Sequence, residues 1–198
     1  MSERLELVRK SAGAAILIAL GDFALLKLGN PIGPIIFALG LLGVCYMKQN
    51  LFTGKCGFIV EDKIKIWDLL LILAINLAVG YLVGLVFSQI DADVFENAVL
   101  RVGTYDVSMP FFIKSVFCGI IMYVAVKMYK EGTALGIIFG VPLFIFCGFQ
   151  HCIANVITLG VAQTFDLSLI VCVIGNLVGS LLMWLVTRQN DGKRRASK

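Results

Sequence analysis

His151 is the only histidine among the 198 residues. It sits in a short polar interruption, Gly148-Phe149-Gln150-His151-Cys152, inside an otherwise apolar run. Imidazole is the one side chain there whose ordinary pKa lies near neutrality. An ionisable group at bilayer depth is costly, so it is a functional candidate by default. Burial favours the neutral ring and an approaching anion favours the imidazolium, so anion and proton are expected to bind His151 with positive coupling. The bland alternative is a histidine that caps carbonyls exposed by a helix break. A second interruption, Asn50-Leu51-Phe52-Thr53-Gly54-Lys55, offers the Thr53 hydroxyl as a further donor, although threonine often back-bonds to its own helix. Helix N-termini just after both breaks are expected to add free N–H groups and partial positive charge.

The two breaks occupy matching places. Asn50 follows Lys10, where the first apolar run opens, at the same separation at which Gln150 follows Pro110, where the fourth opens. Interrupted hydrophobic segments at corresponding positions of two halves are the best sequence pointer to a midplane site in a repeat-built transporter.

The elements that must hold these breaks are membrane spans. The chain is 59% hydrophobic, 15% charged and has a mean hydropathy of +0.93, whereas a soluble domain carries about a quarter charged residues. Six segments approach the ~20 apolar residues a spanning helix needs: Ser11–Leu28, Ile32–Tyr46 continuing through Val60, Ile66–Phe87, Phe111–Met128, Ala134–Val161 with its break, and Leu167–Val186. The second and fifth each suit two half-helices and carry Pro34 and Pro142. Gly80-x-x-x-Gly84 and Gly175-x-x-x-Gly179 in the third and sixth predict close helix approach. Three spans per half make the repeat inverted, over about 11–87 and 111–187. No cleavable leader is evident in MSERLELVRK, which leads directly into the first apolar run.

Orientation follows the basic residues. Arg4, Arg9, Lys10, Lys63, Lys65, Lys127, Lys130 and the tail 188–198 fall on one side; Lys27, Arg101, Asp91, Asp93, Glu96 and Asp106 fall on the other. Both termini are expected in the cytoplasm, with the acidic loop 88–110 facing outward and the basic tail acting as a topology determinant. Asp22 and Lys27, near the outer end of the first helix, are expected to snorkel or pair at the interface. The six cysteines form no C-x-x-C and lie mostly in apolar stretches, so all are read as free. Cys147, His151 and Cys152 lack a fourth metal ligand. No acid–base pair or Ser/His/Asp set points to an enzyme, and no cofactor is expected.

At Leu51-Phe52-Thr53-Gly54, at Gly148-Phe149-Gln150-His151-Cys152-Ile153-Ala154-Asn155 and at Gly175-Asn176, the chain resembles the formate/nitrite transporter family. The resemblance implies an aquaporin-like, all-α fold of six transmembrane helices, a homopentamer with one pore per protomer, and conduction of small monovalent anions (formate, nitrite, hydrosulfide or lactate), often with a proton. It implies that His151 is the central pore histidine and that Thr53 faces it. Leu51 and Phe52 then fall on the outer side of the constriction, and Phe37, Leu41 and Phe144 at apolar narrowings. Asn155 and Asn176 match polar residues of the last two helices. The sequence departs from the family in Gln150 and Asn50, where the family has glutamates, and in Gly119, where a supporting asparagine is typical. Lys114 and Arg101 are both candidates for the vestibule cation. A neutral-solute channel and a non-conducting membrane subunit remain as alternatives.

Overall fold

The structure is a computed structural model that describes residues 2–195, with side chains through Arg188. The side chains of the basic tail beyond Arg188 lie outside the described residues. Among those residues every regular element is helical: α1 (Glu3–Leu28), α2 (Ile32–Tyr46), α3 (Phe52–Lys55), α4 (Ile66–Ile90), α5 (Ala92–Val102), α6 (Met109–Lys130), α7 (Leu135–Phe146), α8 (Cys152–Val161) and α9 (Ser168–Arg195), with a 3₁₀ turn at Cys56–Phe58.

Among the described residues four helices are long and apolar enough to cross a membrane: α1, α4, α6 and residues Ser168–Arg188 of α9. At 1.5 Å per residue, the 25 residues of α4 exceed the ~30 Å hydrocarbon thickness. Its sidedness suits lipid. Leu70, Leu82 and Val86 are exposed, while Asn76, Gly80 and Gly84 are buried. The interior face is therefore smaller and more polar than the outer one, as expected where lipid rather than water is the solvent.

Both glycine pairs do mediate close approach, against different partners. A Cβ on Gly84 would strike the Ile157 carbonyl, and one on Gly160 the Tyr81 carbonyl, so α4 and α8 touch backbone to backbone. A Cβ on Gly179 would strike the Val116 carbonyl, and one on Gly119 the Asn176 carbonyl, so α6 and α9 do the same.

Three expectations need correction. The continuation of the second segment to Val60 is not a half-helix: beyond the break it forms only the four residues of α3 and the 3₁₀ turn. Gly54 and Gly57 lower its helix propensity, and Gly57 is wedged against Tyr123 and Ser180. The acidic loop 88–110 contains a helix, α5, N-capped by the Asp91 side chain, which accepts from Val94 N–H at 3.1 Å. Its Val94 and Ala98 pack on Leu26 and Val161. Finally, Lys27 pairs outward with Asp91 (2.9 Å) and Asp93 (2.6 Å), whereas Asp22 is fully buried.

Candidate functional site between two cavities

The two breaks are built alike, residue for residue at one constant offset. At the end of α2, Met47 N–H donates to Gly43 O and Gln49 N–H to Val44 O. At the end of α7, Cys147 N–H donates to Leu143 O and Phe149 N–H to Phe144 O. Each turn needs one residue in the left-handed region. Gly148 (φ 67°) fills that place in the second break, but Lys48 (φ 53°) fills it in the first. The chain then runs extended through Leu51 and His151 before α3 and α8 begin.

A buried asparagine closes each turn. The Asn176 carboxamide accepts from Cys152 N–H (2.9 Å) and donates to Ser115 O (2.8 Å) and Gln150 O (2.8 Å). The Asn76 carboxamide accepts from Phe52 N–H (2.8 Å) and donates to Ser11 O (2.8 Å) and Asn50 O (3.1 Å). Irregular backbone survives at membrane depth only where its polar groups are satisfied internally, and these two side chains satisfy it. Asn176 is thus spent on backbone and lines neither cavity described below. Asn76 was missed in the sequence. Its signal was available: a lone amide in an apolar run, at the same separation from the first break as Asn176 from the second.

The breaks bring His151 and Thr53 together. His151 Nε2 lies 2.8 Å from Thr53 Oγ1, and both side chains are buried. His151 Nδ1 accepts from Ala154 N–H at 3.1 Å, capping α8. Since Nδ1 supplies its lone pair, the neutral ring carries its proton on Nε2 and donates it to Thr53, whose own hydroxyl hydrogen is left to donate elsewhere. The ring stacks on Phe144 (centroids 5.8 Å), which meets Phe37 edge-on at 6.1 Å. The expected set of free N–H groups at the start of α8 is largely absent, because Cys152 N–H, Ala154 N–H and Asn155 N–H all have acceptors.

A cavity lies on each side of this cluster. One, of about 350 Å³, is lined by Asn97, Arg101 and Tyr105 together with Phe149 and Gln150. The other, of about 450 Å³, is lined by Leu41, Leu51, Lys48, Lys55, Asp62 and Lys130. Leu51 fronts the lysine-lined cavity. Phe52 is buried, with its N–H held by Asn76. Arg101 lines the first cavity, while Lys114 is exposed and lines neither. Asn155 donates to Gln150 Oε1 at 3.0 Å, and its own Oδ1, although buried, has no hydrogen-bond partner. Gln150 also donates to Gly148 O at 3.0 Å, so it braces the turn as it faces the cavity. At Gly119, the contact with the Asn176 backbone leaves no room for an asparagine.

Apolar spanning helices around two internally satisfied breaks, with a buried histidine between two cavities, define a multi-pass membrane protein of the transporter type. The chain belongs to the formate/nitrite transporter family, whose model, described as formate/nitrite transporter, matches residues 7–187. Its fold is similar to that of a solved FNT family ion channel, at 20% identity over 93% of this chain and 87% of that one, with a TM-score of 0.74. It is likewise similar to a pentameric formate channel with formate bound, at 16% identity over 98% of each chain, with a TM-score of 0.76. No curated protein matches the chain.

Proposed function

We propose that this protein is a channel or proton-coupled transporter for small monovalent weak-acid anions of the formate, nitrite or hydrosulfide class, with His151 at the centre of the path. The observation that carries the reading is the buried His151–Thr53 pair between two cavities that each hold cationic side chains. Arg101 on one side, and Lys48, Lys55 and Lys130 on the other, attract the anion. Phe37, Phe144, Leu41 and Leu51 form apolar slits, which a bare anion crosses only at a cost of several kcal/mol. A proton shared at the centre removes most of that cost.

The cap on Nδ1 sets the terms of that sharing. His151 gives up its Nε2 proton only if Nδ1 takes another, and a proton on Nδ1 displaces the Ala154 N–H. Losing one such hydrogen bond costs about 1 kcal/mol, and the attraction of the new imidazolium for the anion offsets it. Anion and proton therefore arrive together.

The wider architecture in this reading is six spanning segments in two inverted repeats, both termini on the cytoplasmic face, and a homopentamer. The matched turns, asparagine clamps and the pentameric formate channel of similar fold support it. The test is formate, nitrite and hydrosulfide flux in proteoliposomes between pH 5 and 8. Wild type should conduct with a pH dependence that His151→Phe flattens or abolishes. Equal fluxes in the two proteins would reduce His151 to a helix cap.

A further inference from the structure

Gln150 stands immediately before His151, and both ends of its carboxamide are held. Its Nε2 donates to Gly148 O at 3.0 Å, and its Oε1 accepts from Asn155 Nδ2 at 3.0 Å. Its backbone carbonyl accepts from Asn176 Nδ2 at 2.8 Å. Asn155 is buried one helical turn past His151, where its N–H donates to His151 O at 2.8 Å. The side chain at 150 therefore has to donate at one end and accept at the other. A carboxamide does both; a carboxylate only accepts. It would keep the bond from Asn155 and turn its second oxygen on the Gly148 carbonyl. The first break uses the same device, with Gln49 Nε2 donating to Met47 O at 2.8 Å.

Gln150 also lines the cavity of about 350 Å³. Of the described residues that line it, Arg101 alone carries a formal charge, and Tyr105 is the other titratable group. The titratable groups behind Gln150 are His151, next in the chain, and Cys172, whose Sγ lies 3.7 Å from Asn155 Nδ2. Further along α8, Asp22 accepts from Thr158. An anion in so small a cavity stays within about one Debye length (~10 Å) of every wall charge, so salt screens little. Whether position 150 is neutral or negative thus bears directly on what the cavity holds.

We propose that Gln150 sets the anion preference of this cavity. It is a neutral brace that fixes the turn before His151 without placing a negative charge on the wall that Arg101 shares. The inference deepens the anion-channel reading and rests on it for the identity of the ligand.

The experiment is a formate titration of the purified full-length protein at pH 8 and constant ionic strength. Thermal unfolding gives the concentration of half-maximal stabilisation. Two variants of similar shape separate the brace from the charge. Gln150→Glu keeps the acceptor for Asn155 and adds a negative charge. Gln150→Met removes both side-chain hydrogen bonds and adds no charge. Both should melt below wild type, because both lose the bond to Gly148 O. Only Gln150→Glu should raise the formate concentration, by about tenfold, the scale of one unit charge at short range in a partly dry site; Gln150→Met should leave it nearly unchanged. A purely structural role gives the reverse order, since methionine breaks more bonds. Equal shifts in the two variants, or a larger one in Gln150→Met, overturn the proposal. Should Gln150→Glu fail to fold, the shorter Gln150→Asp carries the same charge and should give the same rise. In vesicles holding the protein in one orientation, half-saturation of Gln150→Glu should rise for formate presented at the Arg101 side; an equal rise from the lysine side overturns the proposal. Formate that stabilises not even the wild type also overturns it. Formate that stabilises the wild type but does not cross the bilayer overturns the channel reading and leaves the role of Gln150 to the titration.

Discussion

Replacing Asn176 or Asn76 by leucine tests whether the asparagine clamps hold the site. Leucine is close in volume, so packing changes little, but every hydrogen bond of the carboxamide is lost. For Asn176→Leu the Ser115 carbonyl lies within α6 and keeps its place in the helix ladder. Cys152 N–H and Gln150 O have no such alternative and become orphans. Each buried orphan costs about 1–3 kcal/mol, so roughly 4 kcal/mol is expected for the pair. A chain of this size shifts by about 2–4 °C per kcal/mol, which puts the unfolding midpoint roughly 10 °C lower. Asn176→Asp should be worse, since it retains the acceptor for Cys152 N–H but turns a negative charge on two carbonyls. The functional consequences differ in origin: Asn176→Leu loosens the residue next to His151, Asn76→Leu the residue next to Thr53. Unfolding of the solubilised oligomer, followed by light scattering or tryptophan fluorescence, together with formate flux, reads both. Leucine variants that melt within about 2 °C of wild type and conduct normally would refute the reasoning.

Gly119→Asn, which restores the residue typical of the family, should destabilise the protein rather than improve it. Its Cβ would meet the Asn176 backbone, so α6 and α9 must separate; a lower midpoint with reduced flux is expected, and a midpoint at or above wild type would contradict the packing. Lys48→Gly should stabilise the turn by about 1 kcal/mol, because a left-handed conformation costs a side-chain-bearing residue roughly that much. It also removes a cation from the 450 Å³ cavity. A higher unfolding midpoint combined with a raised half-saturation for anion entering on that side would separate the two roles.

Much of this protein was written locally in its sequence. Long apolar runs can be satisfied in lipid only as helices, since no water remains to bond the backbone, and that alone announced α1, α4, α6 and α9. The breaks were equally legible, because Gln150-His151 and Asn50-Leu51-Phe52-Thr53 interrupt those runs at matching places. What the sequence left open depended on contacts between segments far apart in the chain. Nothing local tells that Asn76 reaches back to Ser11 and Asn50, or that Asn176 donates to Ser115 and Gln150. Nothing local brings Thr53 to within 2.8 Å of His151 across 98 positions. The choice between Arg101 and Lys114 as cavity-lining cation turned on how α5 folds back over α1 and α8. Asp22 looked like an interfacial residue because its neighbours in sequence are interfacial; its burial is set by α8, which presents Thr158 to it. Hydropathy is a sum over neighbours along the chain and survives without a fold. Hydrogen-bond partnership is a pairing in space, and only the packed helices decide it.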